Sequence, residues 1–196
     1  MKDSTYYLVI AAMLVLVTLN LQSQPKKYDI KSSIIMYEMT QKVAGMEIKN
    51  KVILSFDDYG MKECRETYTE DKITDIYFSD GKNLYSLKPD KKIAIKRGAA
   101  YQGTEAKIEW NDISSDDKKM GRAKQLPRMT IAGKTCEAFV ASLSGSSTTY
   151  ACWNHVLMMI DMKSKEVSTL KKAITVDETT AVSAEKFKVP PGYTLK

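Results

Sequence analysis

Most of this chain alternates apolar and polar residues with a period of two, and tight turns punctuate the alternation. Ile48, Asn50, Val52, Leu54 and Phe56 alternate with Lys49, Lys51, Ile53 and Ser55. Successive side chains of a strand point to opposite faces, so this pattern predicts a strand with one buried face. Ile30 to Thr40 is also rich in β-favouring residues, and Val43-Ala44-Gly45 marks a turn. Asp57-Asp58-Tyr59-Gly60 is a further turn signal, and Met61 to Thr69 continues as a more polar strand. Ile73 to Ser79 and Lys82 to Leu87 flank Asp80-Gly81, a strong hairpin signal because a type I′ turn needs positive φ at both central positions. Pro89-Asp90 turns the chain into Ile93 to Lys96. Thr135 to Ser142 pairs with Thr148 to His155, and Val156 to Met162 pairs with Val167 to Val176 around Lys163-Ser164-Lys165. The sum is about nine or ten short strands in an antiparallel meander.

Residues 98–129 lack the alternation. Ser115 is placed to cap a short helix from Asp116 to about Lys124, with acidic residues opening it, basic ones closing it, and Pro127 beyond. A meander must bury one face, and here a single helical segment is left to cover it. The expected fold is therefore mainly β: one strongly curved antiparallel sheet, or half-open barrel, with a short helical or loop plug from residues 98–129. The limited apolar content favours a single curved sheet with one buried face over two packed layers.

The N-terminus has a different logic. Leu8 to Leu21 reads LVIAAMLVLVTLNL, 14 mostly apolar residues behind Lys2 and Asp3. A spanning helix needs roughly 20 such residues, so the run fits a signal-peptide core, with cleavage after Ser23. The expected division is a signal peptide over residues 1–23 and a single domain over 24–196, periplasmic or secreted, with no stable membrane span after cleavage. No Cys follows the apolar run before Cys64, which closes the lipid-attachment route. Lys and Arg number 30 against 24 Asp and Glu, a net +6. The basic runs are short, dispersed and not interleaved with aromatics, so nucleic acid is not an expected partner.

Export favours disulfides. Cys136 and Cys152 flank a hairpin signal at similar distances from its turn, so folding back brings them within reach of a bridge. Such a bridge contributes about 3 kcal/mol in the chain-entropy model. Cys64 is then a small buried hydrophobe. There is no CxxC, and His155 is the only imidazole, which argues against a metal site and against a nucleophilic triad. The Asp57-Asp58 and Asp116-Asp117 pairs look like turn and helix-start residues. Methionines such as Met36, Met39, Met158, Met159 and Met162 suit copper(I), an adaptable apolar cavity or an ordinary core, and the sequence leaves these open. Trp110 in the plug and Trp153 on a strand could face each other across a pocket.

Three stretches carry a family resemblance. They are Ile30-Lys31-Ser32-Ser33-Ile34-Ile35 leading to Phe56-Asp57-Asp58-Tyr59-Gly60; Ala132-Gly133-Lys134-Thr135-Cys136 leading to Tyr150-Ala151-Cys152-Trp153; and Glu185-Lys186-Phe187-Lys188-Val189-Pro190-Pro191-Gly192-Tyr193. Their order resembles an uncharacterised family of secreted bacterial proteins, frequent in the Bacteroidota, which is similar in turn to the periplasmic lipoprotein carriers LolA and LolB. The resemblance implies a half-open β-barrel that binds acyl chains, with no catalytic residues and no cofactor. The expectation is a non-catalytic binding or carrier protein for a lipid or other hydrophobic ligand. Its cavity candidates are Val52, Leu54, Phe56, Trp110, Trp153 and Met158. The alternative is an envelope protein-interaction or scaffold module without a bound ligand.

Overall fold

The computed structural model describes residues 26–100, 108–143 and 145–196. The signal peptide expected over residues 1–23 lies outside them. The chain forms β1 (Ser33–Val43), β2 (Met46–Asp57), β3 (Lys62–Thr69), β4 (Lys72–Asp80), β5 (Asn83–Lys88) and β6 (Ile93–Ala99). Helix α1 (Ser115–Lys119) leads to β7 (Ala123–Ile131), β8 (Lys134–Leu143), β9 (Ser146–Trp153), β10 (Val156–Lys163), β11 (Val167–Asp177) and β12 (Thr194–Leu195). All twelve strands belong to one sheet, ordered 12-6-5-4-3-2-1-11-10-9-8-7. Two meanders, β1–β6 and β7–β11, are thus fused where β1 pairs antiparallel with β11. The sheet stays open, yet β7 touches β11 across three intervening strands. The architecture is the expected mainly β, curved, half-open barrel.

Three local expectations need correction. The helix is five residues long, and its cap is Ser114, whose Oγ accepts from the Asp117 amide at 3.1 Å. It stops early because Gly121 takes a left-handed φ of +70° directly after Met120. Strand β7 has no alternating signature and contains Pro127, which sits in a bulge between Leu126 and Met129 on an edge strand. That is where a sheet tolerates a proline. Finally, the sheet buries both faces rather than one. Phe56 pairs with Glu63 and Ser55 with Cys64, so the core around Ile35, Leu54 and Phe56 lies on the face opposite Cys64 and Phe78. Phe78, Leu87 and Ala94 form a second cluster. It is covered by a strap from the 3-10 turn Ala184–Phe187, with Phe187, Val189 and Tyr193 packing down before β12 adds to β6 in parallel.

One end of the barrel is closed by residues 26–31. Glu63 has no exposed surface. Its Oε1 accepts from Lys27 Nζ at 2.7 Å and from the Tyr28 hydroxyl at 2.6 Å. The Tyr28 ring tilts onto Phe56 with centroids 4.6 Å apart. The Lys27 and Tyr28 amides donate to the Tyr59 carbonyl, and the Asp29 amide donates to the Asn154 carbonyl. Gly60 is required here, with φ +84°, because a Cβ would come within 2.6 Å of the Tyr28 ring.

Two stability outcomes follow from this clamp. Lys27→Met leaves a buried carboxylate without its cation and lowers stability by about 3–5 kcal/mol in urea denaturation, while Lys27→Met with Glu63→Gln recovers much of the loss. A single variant as stable as wild type would show that the pair is not buried. Gly60→Ala costs more than Gly45→Ala. Both pay about 1 kcal/mol for a left-handed alanine, but an alanine at Gly45 has nothing within 4 Å to strike.

Candidate functional site

The register assigns an inner face to the sheet. Phe139 pairs with Tyr150, Tyr150 with Ile160, Ile160 with Lys171, and Lys171 with Met39. Tyr37, two residues before Met39, pairs with Val52, and Val52 pairs with Thr67. Paired residues share a face, so all of these side chains point the same way. The described part of the expected plug lies across them. The Cys152 thiol donates to the Ile108 carbonyl at 3.1 Å, and Trp110 tilts over Phe139 at 6.0 Å between centroids.

Residues 108–110 divide the inner face into two concavities. On one side is a cleft of about 660 Å³ whose walls include Asp29, Glu109, Trp110, Arg128, Glu137, Phe139, Cys152, Trp153 and His155. It is acidic and aromatic. His155 sits in the two-residue β9–β10 turn, with φ +68° after Asn154 at +48°, as a type I′ hairpin demands. Its Nε2 lies 3.0 Å from Asp29 Oδ2, and its Nδ1 faces Glu109 Oε1. The imidazole therefore ties the N-terminal clamp to the covering segment. On the other side is a smaller hollow of about 360 Å³, walled by Met39, Val52, Ile108, Leu157 and Ile160 together with Thr67, Arg65 and Lys171. Lys171 is only 8% exposed, and its Nζ lies 4.4 Å from the Tyr37 ring centroid. Arg65 stacks its guanidinium 4.9 Å from the Tyr77 ring. The Tyr37 hydroxyl donates to the Leu157 carbonyl at 3.0 Å, fixing the floor.

Trp110 and Trp153 both line the cleft, and Val52 walls the hollow. Leu54, Phe56 and Met158 line neither concavity; each is packed in the main core with 1% exposure or less. Arg65, Lys171 and Phe139 were not singled out by sequence, since nothing in a polar, alternating strand marks which charge turns inward. The Cys136–Cys152 bridge is not formed, and both are free thiols. Cys152 pairs with Glu137 rather than with Cys136, a one-residue offset that turns the two sulfurs to opposite faces. Burial pushes the Cys152 thiol up to about 12, helped by the charge of Glu109, and burial pushes Cys136 up to about 11. Cys64 is also raised to about 12, first by burial and then by Glu66. Among the described residues no group of three or more His, Cys, Asp or Glu is placed to hold a metal ion. No described helix is long and apolar enough to cross a membrane.

No protein-family model matches the chain, and neither does any curated protein. Among solved structures it is similar to an uncharacterized conserved protein from Thermus thermophilus, with a TM-score of 0.52 and 5% identity over 83% of this chain and 89% of that one. It is also similar to a LolA superfamily protein from Nitrosomonas europaea (TM-score 0.42, 8% identity, 83% and 92% covered). A third likeness is to a chain of the Pseudomonas aeruginosa MucA/MucB complex (TM-score 0.46, 7% identity, 83% and 56% covered). The first likeness speaks for a shared fold and nothing more; the other two are too distant to carry an inference.

The thiol environments give a direct outcome. Neutral thiols react slowly, so the folded protein resists alkylation near neutral pH. Unfolding without reductant then exposes all three cysteines to the reagent. An intact mass showing one adduct instead of three would restore the bridge.

Proposed function

We propose that this chain is an exported, non-catalytic binding or carrier protein for a lipid or other apolar ligand, held on the inner face beneath residues 108–110. The observation that carries this reading is the hollow roofed by Ile108. Its walls are mainly apolar, its volume of about 360 Å³ is in the range of small-ligand sites, and a few polar groups are set into it, as such sites require. The apolar N-terminal run supports export to the periplasm or beyond. The surroundings of His155 and Cys152 support a non-catalytic role. Both ring nitrogens of the single imidazole face carboxylates, and the nearby Cys152 thiol is engaged by a carbonyl. Neither arrangement sets a nucleophile beside a base.

A second reading, an envelope protein-interaction module, is favoured by Val43, Met46 and Ile48, which are exposed at the β1–β2 hairpin. Its signature is an envelope partner that the wild-type chain retains and a Met46→Glu variant loses, with no ligand taken up by either.

The carrier reading predicts that native mass spectrometry of gently purified protein shows a mass adduct that solvent extraction removes. The extracted protein then takes up an acyl-chain probe, and Ile108→Asp weakens that uptake about tenfold or more with the circular dichroism unchanged. No adduct and no uptake would overturn it.

A further inference from the structure

We propose that the cleft on the Trp110 side of residues 108–110 is a second binding site, for a neutral oligosaccharide. Sugar rings lie against Trp110, and their hydroxyls bond to the amide side chains of Asn111, Gln125 and Asn154. The site is independent of the ligand proposed for the hollow, and the two concavities differ in kind. The hollow is walled mainly by aliphatic side chains, whereas the cleft sets amides, a threonine hydroxyl and charged groups around two tryptophans and Phe139. A pyranose has the matching surface, an apolar C–H face with a rim of closely spaced hydroxyls. The cleft volume of about 660 Å³ is in the range of small-ligand sites and leaves room for more than one ring.

The apolar part of the cleft is built in advance. Phe139 is 2% exposed and stacks on Tyr150 with centroids 5.1 Å apart, and Trp110 tilts against it at 6.0 Å. Trp110 is half-buried, so part of its ring stays open to a ligand. An indole supported this way loses little entropy on binding, and its partly negative face suits the C–H bonds of a sugar. The hydrogen-bonding groups stand around it. Asn111, Gln125 and Asn154 are exposed, and Asn111 directly follows Trp110. Each amide offers a carbonyl and two N–H donors, the complement of neighbouring hydroxyls that both donate and accept.

The charges of the cleft favour a neutral ligand over an ion. Arg128 Nη2 lies 3.4 Å from Glu137 Oε1, and His155 faces both Asp29 and Glu109, so each carboxylate of the cleft already has a basic neighbour. The indoles are engaged in the same way. Lys118 Nζ is 4.6 Å from the Trp110 ring centroid, and Lys134 Nζ is 4.6 Å from that of Trp153. A cationic guest therefore competes with a lysine at either ring. An acidic sugar meets three carboxylates against Arg128 and His155, and like charge disfavours it.

Calorimetry on the full chain tests this with three neutral oligosaccharides (cellotetraose, maltotetraose and chitotetraose), with tetragalacturonate as the acidic sugar and spermine as the cation. At least one neutral sugar is expected to bind and to shift the tryptophan emission, since both of the chain's tryptophans line the cleft. Its affinity is expected to exceed those of tetragalacturonate and spermine by about tenfold or more. Gln125→Ala weakens it about threefold to tenfold, the loss of one hydrogen bond between neutral groups. Trp110→Leu weakens it about tenfold or more. Absence of binding by all three neutral sugars overturns the inference, as does tighter binding of spermine or tetragalacturonate. Sugar binding that both variants leave unchanged lies elsewhere on the molecule and overturns the assignment to this cleft. Gln125 is exposed on the edge strand β7, so its truncation decides the matter even if Trp110→Leu unfolds. Uptake of the acyl-chain probe is a separate readout: its failure with sugar binding intact overturns the carrier reading alone.

Discussion

A carboxylate with no exposed surface cannot be tolerated without a compensating charge, and much of this architecture depends on how Glu63 obtains one. Its cation is Lys27, thirty-six residues earlier in the chain. Bringing Lys27 to Glu63 lays residues 26–31 across one end of the sheet and seats Tyr28 on Phe56. It also ties the segment to two turns, one after β2 and one after β9. The two meanders are seamed along the β1–β11 ladder, with the Tyr37 hydroxyl reaching past it to the Leu157 carbonyl. The clamp adds a second link between them at the barrel end, and His155 extends that link to the covering segment through Asp29 and Glu109.

The sheet then solves its burial problem in two places. The strap ending in β12 takes the reverse face of β3–β6 and shields Phe78 and Leu87. This frees the inner face of β3 and β4 to carry polar groups, among them Arg65, Thr67 and Tyr77. An inner face lined wholly by aliphatic side chains would have collapsed into core. One with charged groups stays partly open. The bulge opposite Tyr37 breaks the strict alternation where the two meanders join, and the one between Leu157 and Met159, within the second meander, re-aims Met158 into the main core.

The alternation in β2 and the turns at Asp57–Gly60 and Asp80–Gly81 made the meander and its class readable from sequence, because each rests on local chemistry. Strand β7 was not readable, since an edge strand holding Pro127 has no obligation to alternate. The cysteine pairing was misjudged because equal distance from a turn says nothing about register, and one residue of offset reverses the face. Of the cavity candidates, Trp110 and Trp153 lie in the cleft and Val52 walls the hollow. Leu54 and Phe56 share Val52's alternation yet sit where the clamp closes over them. Period identifies a face, but only tertiary context separates the covered end of that face from the open one.

Pro127 has a consequence beyond its own strand. A twelve-stranded open sheet offers two flanks on which another chain could extend the ladder. On one flank, β7 is interrupted at Pro127 and carries the exposed Lys124 and Arg128; on the other, β12 is two residues long. Neither flank presents a flat row of amides and carbonyls to a neighbour. Copies of this protein crowded together should therefore remain separate particles rather than grow into a ribbon, even though each displays an incomplete barrel.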